Sequence, residues 1–250
     1  MISQDCITIT GLTKHYQKSS RPALNGIDLR IREGEVFGLL GPNGAGKTTF
    51  FSTLCGLIEL GEGEVILQDL SIRQDLGRIK QIIGVVPQDI ALYPTLSGRD
   101  NLLFIGRMYG LKGAELKQRV DSCLDDFGFD ANRHLAVKKY SGGMKRKINL
   151  IGGILHRPKI LLLDEPTVGI DVHSRRGILE KLKAINQTDK ATIIYTSHHM
   201  EEAEQFCDRV AIIDEGEIIQ VGVPRELVTA GNCQNLEELF VQLTGKKIKD

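Results

Sequence analysis

Apolar and polar positions alternate from Cys6 to Leu12, which predicts a strand running out into Gly11-Leu12-Thr13-Lys14-His15-Tyr16. Leu24–Ile31 and Glu35–Leu40 are two further strand-like runs joined at Arg32-Glu33-Gly34. After a glycine-rich stretch, Phe50-Phe51-Ser52-Thr53-Leu54 predicts a helix reaching about Leu57. Glu62–Leu67 reads as a strand entered through Gly61-Glu62-Gly63, and residues 82–86 form a short β-branched run stopped by Pro87-Gln88. From Leu96 to about His156 the pattern turns helical, broken at Gly110, Gly113 and Gly128, with the mixed charge of a peripheral helical subdomain. Ile160–Leu163 is then continuously apolar, as in a strand buried on both faces. A helix over Ser174–Ile185, a strand over Ala191–Thr196 and a helix over His199–Phe206 follow. Strands near Val210–Asp214 and Glu217–Val221 precede an amphipathic helical tail from Pro224, with Leu236, Leu239, Phe240 and Leu243 at helical spacing.

Strand and helix alternate on both sides of the helical insertion, which predicts an α/β fold with a mainly parallel sheet. The expected organisation is one domain over 1–250. Residues 1–90 and 157–222 make a core with a β subdomain, 91–156 a helical subdomain, and 223–250 a helical tail. At 250 residues and 41% hydrophobic, the chain can bury a sizeable core. Its 32 Lys+Arg balance 32 Asp+Glu, which argues against a nucleic-acid surface. The five cysteines stand far apart without a C-x-x-C pair, favouring a reducing compartment over a disulfide frame or zinc site. No apolar run approaches the ~20 residues that span a bilayer. The N-terminal stretch lacks the basic and apolar regions of a signal peptide, so any membrane role is expected to come through a partner.

The candidate chemistry centres on Gly41-Pro42-Asn43-Gly44-Ala45-Gly46-Lys47-Thr48-Thr49, between a predicted strand and a predicted helix. This is the phosphate-binding pattern G-x-x-x-x-G-K-[ST] in the setting that gives it meaning. Glycines let backbone N–H groups turn inward as an anion nest, and the helix start adds free N–H groups and its positive dipole end. Lys47 supplies a point charge for β- and γ-phosphates, and the Thr48 hydroxyl can ligate Mg²⁺. The pattern predicts binding of a nucleoside triphosphate. Asp164 and Glu165 end the apolar strand, where α/β sheets place ligands. Asp164 suits the Mg²⁺ shell, through water, and Glu165 suits a general base for attacking water. Ser141-Gly142-Gly143 opens another helical run. It is either an ordinary N-cap or a second anion site serving another chain's nucleotide. Lys145-Arg146-Lys147 reads more readily as a solvated helix face than as an attractor of phosphate or lipid headgroups.

Tyr16, the phosphate loop, Gln88, Ser141–Gly143, Asp164-Glu165, Asp171 and His198 occur in an order and spacing that resemble the ATP-binding subunit of an ABC transporter. The resemblance covers essentially the whole chain. It implies a P-loop NTPase core with a mainly parallel sheet, an antiparallel β subdomain and an inserted α-helical subdomain. It implies that Tyr16 stacks on adenine and that Asn43, Gly44, Ala45, Gly46, Lys47, Thr48 and Thr49 wrap the phosphates. Thr48, Gln88 and Asp164 would hold Mg²⁺, with Gln88 also reaching the attacking water. Ser141 and Gly143 would donate to the γ-phosphate held by the opposite subunit. Asp171 would cross the dimer interface, against its plainer reading as an N-cap before Val172–Ser174. His198 would bond the γ-phosphate and hold Glu165 and water in line, while His199 starts the next helix.

The family's signature usually begins with leucine and ends with glutamine; here Tyr140 and Met144 flank Ser-Gly-Gly. The aspartate loop reads Gly-Ile-Asp in place of the commoner Ala-Leu-Asp. The resemblance implies an ATPase that uses ATP and Mg²⁺, pairs with a second copy, and drives a separate transmembrane permease from the cytoplasmic face. The helical insertion, with Gln88, Leu92-Tyr93 and Leu96, would be the permease dock. Tyr140–Met144, Thr167–Asp171 and Leu236–Gly245 resemble the ABC-2 type exporters, which favours export. Chromosome-maintenance cassettes carry long insertions that the interval Gln88–Ser141 cannot hold, and translation-associated ones carry two cassettes and a basic linker. Neither fits, so no nucleic-acid partner is expected.

Overall fold

The computed structural model describes residues 4–17 and 19–245. Its elements run β1 (Asp5–Lys14), β2 (Leu24–Arg32), β3 (Val36–Leu40), α1 (Lys47–Leu54), β4 (Glu62–Leu67), β5 (Leu70–Ser71), α2 (Leu76–Ile82) and β6 (Ile83–Val86). Three helices follow, α3 (Gly98–Met108), α4 (Gly113–Asp126) and α5 (Gly142–Ile154). The chain then returns to sheet through β7 (Ile160–Asp164), α6 (Val172–Asp189), β8 (Thr192–Ser197), α7 (Met200–Phe206), β9 (Arg209–Asp214) and β10 (Glu217–Gly222). Helices α8 (Pro224–Ala230) and α9 (Leu236–Thr244) close the described chain. The expected tail's last five residues, 246–250, and residues 1–3 of the N-terminal stretch lie outside the described residues.

Two sheets organise these elements. Strands β2-β1-β4-β5 form an antiparallel sheet, and β10-β9-β3-β8-β7-β6 form the larger one. In the larger sheet every pairing from β9 to β6 is parallel, with β10 antiparallel at the edge. Alternate residues of its strands feed two cores. Leu161, Leu163, Ile193 and Tyr195 face the helical side, while Ile160, Leu162, Ile194 and Phe37 pack with α1 and the antiparallel sheet. Burial on both faces is why β7 reads as an unbroken apolar run.

The strand order positions the chemistry. Strands β3, β8, β7 and β6 lie side by side with Leu40 opposite Ser197, Asp164 opposite Thr196 and Val86 opposite Leu163. Their carboxyl ends therefore deliver the phosphate loop, His198, Glu165 and Gln88 to one edge of the sheet, as open α/β sheets do with ligand sites.

Several boundaries differ from expectation. Helix α1 stops at Leu54, not Leu57, because the chain turns at Gly56 with φ +63°. The alternation pattern passed over β5, two residues long, and the seven-residue α2, whose apolar face (Ile79 buried, Leu76 and Ile82 packed beside it) spans too few turns to show as a period. Ile82 ends α2, so the strand expected over 82–86 begins at Ile83. Helix α6 outruns Ser174–Ile185 at both ends, capped by Asp171 and by Lys190 at φ +54°. In the tail, Leu236, Leu239 and Phe240 are buried while Leu243 stays exposed.

Candidate active site

The chain leaves β3 into a loop whose two end glycines have no room for a side chain. A Cβ on Gly41 would stand 2.3 Å from Ile213 O, and one on Gly46 would stand 2.6 Å from Ala23 O. Gly46 also sits at φ +110° and caps α1. No side chain caps that helix and no acid occupies its first turn, so its N-terminal field is open to an anion. A Gly46→Ala substitution is expected to weaken ATP binding by about tenfold or more, since it brings both a clash and a strained φ worth a few kcal/mol. Isothermal titration checks this, and an unchanged Kd would contradict the backbone-cradle account.

Lys47 is buried, and its Nζ donates to Gly41 O at 2.8 Å and Pro42 O at 3.1 Å. The same ammonium lies 3.4 Å from Glu165 Oε1. Burial pushes the Lys47 pKa down, and the neighbouring Glu165 and Asp164 carboxylates oppose that shift.

Glu165 is the hub. Its Oε1 lies 3.0 Å from His198 Nδ1, and its Oε2 accepts from Gln88 Nε2 at 3.2 Å. Its backbone takes φ +47°, a left-handed conformation uncommon outside glycine. Its N–H holds that shape by donating to Thr196 O at 3.2 Å and Thr196 Oγ1 at 3.1 Å. Asp164 is buried beside it and accepts from Thr196 Oγ1 at 2.6 Å. Burial raises the Asp164 pKa, the Thr196 bond opposes that, and the Glu165 charge adds to the rise. Thr48 is exposed next to the loop. Tyr16 presents a ring that is 45% exposed, with its hydroxyl 3.5 Å from Thr49 Oγ1.

Thr48, Asp164 and Gln88 are all oxygen donors, the set a hard divalent cation prefers. That pattern fits Mg²⁺, which takes one or two protein ligands and completes its shell with phosphate and water.

Ser141 is the N-cap of α5, its Oγ accepting from Met144 N at 3.2 Å. A Cβ added to Gly143 would stand 3.3 Å from Ser174 Oγ, and one on Gly142 would stand 3.8 Å from Gly169 O. Asp171 is the N-cap of α6, accepting from Ser174 N at 2.9 Å. His199 caps α7, as its place after the strand suggested. Thus Lys47, Gln88, Glu165 and His198 meet directly, Asp164 joins them through Thr196, and Ser141–Gly143 gather with Asp171.

One expectation fails. Arg146 is not on a solvated face: it is only 5% exposed, between half-buried Lys145 and Lys147. Pattern reading also missed Thr196, which looks like any β-branched strand residue. It missed Glu202 as well, whose Oε1 accepts from Tyr195 OH and from Thr167 Oγ1 at 2.7 Å. Burial pushes the Glu202 carboxyl up, opposed by the Thr167 bond and Arg175. That carboxylate joins the segment after Glu165 to the helix after His198, and nothing local in the sequence signals it.

Comparison with known proteins identifies the family and the fold. The ABC transporter family profile matches residues 24–168. Linearmycin resistance ATP-binding protein LnrL of Bacillus subtilis (strain 168) is 44% identical over 240 residues, covering 96% of this chain and 75% of that protein. ABC transporter A family member 8 of Arabidopsis thaliana is 42% identical over 207 residues, 82% of this chain but 23% of that protein. A solved ATP binding subunit of an ABC transporter superposes with TM-score 0.85 at 25% identity, covering 96% of this chain and 99% of its own. An ATP-binding cassette in a dimeric post-hydrolysis state with ADP and Pi gives TM-score 0.79 at 26% identity, over 86% of this chain and 97% of its own. A profile match over more than half the sequence, with close identity along nearly all of it, establishes that the chain belongs to the ABC transporter family, as a cassette that binds and hydrolyses ATP with Mg²⁺.

Proposed function

We propose that this cassette drives export through a separate membrane-spanning permease, working at the cytoplasmic face as a head-to-tail pair with a second copy. Each ATP would lie between one copy's phosphate loop and the other's Ser141 and Gly143, with Asp171 crossing beside it. The observation that carries the catalytic half is the Glu165 carboxylate, ringed by His198, Gln88 and Lys47.

Lys47 Nζ now shares its charge between two loop carbonyls and Glu165. A γ-phosphate oxygen in the loop competes for that ammonium and releases Glu165 to its His198 and Gln88 contacts. Glu165 then takes a proton from water as the water attacks, and His198 holds the carboxylate in line. Thr48, Gln88 and Asp164 would hold Mg²⁺, which neutralises charge on the phosphate oxygens when bound. Tyr16 offers its exposed face to adenine. Backbone from Asn43 to Thr49 wraps the phosphates.

The partition into 1–90 with 157–222, 91–156 and 223–250 belongs to this reading. In it the segment 91–156 receives the permease, and the exposed Tyr93, Leu96 and Phe104 support that role. Tyr93 and Phe104 pack edge to face, with centroids 5.2 Å apart. Export is supported by similarity to LnrL, a linearmycin resistance protein by name. Among the described residues no helix is long and apolar enough to cross a membrane, which is consistent with a separate permease.

Co-expression with a membrane protein encoded beside it tests the reading. The cassette is expected in the membrane fraction only when that partner is present, with ATP turnover that responds to the partner. Equal membrane association without the partner, or substrate accumulation inside cells, would count against it.

A further inference from the structure

The buried guanidinium of Arg146 is unused by the chemistry above. Its Nη1 donates to Gln88 O at 2.7 Å and Pro87 O at 3.2 Å, and its Nη2 reaches Val168 O at 3.4 Å. A second side chain of α5, Asn149, also donates to Pro87 O, at 3.2 Å. Three segments distant in the chain thus meet on one side chain: α5, the turn after β6, and the loop between Glu165 and Asp171.

Arg146 is three residues after Gly143, so both lie on the same face of α5. Gly143 sits against Ser174 while Arg146 holds Val168, so this face follows the 168–174 segment at two points. The guanidinium fork then extends the grip to the backbone of Gln88, whose side chain bonds Glu165. A planar fork of several N–H donors suits carbonyls on separate segments; a single ammonium cannot span them equally. Burying a cation without losing stability requires that its donors be met, and here backbone carbonyls meet most of them. The Arg146 Nε has no hydrogen-bond partner, so the side chain is placed by its two terminal nitrogens.

We propose that Arg146 is a positioning residue that fixes the Ser141–Gly143 end of α5 to the Gln88 segment, so that the two halves of the catalytic machinery in one chain keep a set spacing. This rests on the head-to-tail reading, in which Gln88 serves the chain's own nucleotide and Ser141–Gly143 serve its partner's. Loss of the fork leaves the phosphate loop untouched but lets α5 drift from Gln88.

The test uses the full chain with Arg146→Met, which keeps the aliphatic stem and removes the donors, and with Arg146→Lys. For Arg146→Met, kcat for ATP is expected to fall about tenfold or more, while KM and the Kd for ADP stay within about twofold of the parent. Arg146→Lys, which keeps a charge and some donors, is expected to recover part of kcat. If Arg146→Met does not fold, the lysine variant alone carries the test through the same kcat-against-KM split. A parent-like kcat in Arg146→Met would overturn the proposal. So would parallel losses of melting temperature, ADP affinity and kcat that lysine does not relieve, because they indicate a general packing role. ATP-driven dimerisation of Glu165→Gln with Arg146 intact separates the two ideas. If no such dimer forms, the head-to-tail reading fails; if it forms while Arg146→Met turns over normally, only the Arg146 assignment fails.

Discussion

Glu165→Gln is expected to bind ATP at least as well as the parent and to release phosphate about 10²–10⁴-fold more slowly, the range in which a positioned general base contributes. Glutamine matches the carboxylate in size but cannot take a proton from water. The reason binding should survive lies in the resting contacts. Glu165 Oε1 is 3.4 Å from Lys47 Nζ, so the native carboxylate competes with phosphate oxygens for that ammonium. Neutralising it removes the competitor and leaves the loop geometry alone, because the Glu165 N–H bonds to Thr196 are made by backbone. ATP-held dimers should therefore accumulate, measurable by sedimentation with and without ATP. Phosphate release at the parental rate would overturn the general-base assignment.

Lys47→Met is expected to act at the opposite step. Hydrogen bonds to a charged group contribute about 1.5–3 kcal/mol, so losing the ammonium should weaken ATP binding by roughly 10- to 100-fold. Methionine retains most of the apolar stem, which limits packing loss at this buried site. The variant also strips Glu165 of its cationic neighbour, leaving the carboxylate with His198 and Gln88. Hydrolysis should thus fail through binding first, and saturating ATP should recover only part of it. Titration calorimetry checks the first point; an ATP Kd within about threefold of the parent would show that backbone amides alone carry the phosphate.

These two variants mark where sequence reading was strong and where it was not. Each residue's chemical type was visible along the chain, and so was the reason for that type. Their mutual geometry was not. Gln88 and Glu165 are 77 positions apart yet share a hydrogen bond, and they do so because β6 and β7 are neighbours. Arg146 shows the same gap at short range. Successive helix residues point about 100° apart, so one of three adjacent cations can turn inward while the others stay near solvent. A basic triplet carries no mark of which one that is. Helix α2 and strand β5 are only seven and two residues long, too short for a hydrophobic period to mark either.

The nine residues Gly41–Thr49, set between an apolar run and a helical pattern, announced triphosphate binding from local sequence, since a phosphate cradle is built from consecutive backbone N–H groups and needs glycines, one lysine and a helix start in tandem. Continuous apolar runs likewise announced strands covered on both faces. The order β3-β8-β7-β6 settled which ends share an edge and that Thr196 grips both Asp164 and Glu165, and the packing of α5 beside that edge turned Arg146 toward three carbonyls. Strand neighbours are chosen by burial of apolar area summed over the whole chain, a quantity that no short stretch of residues contains.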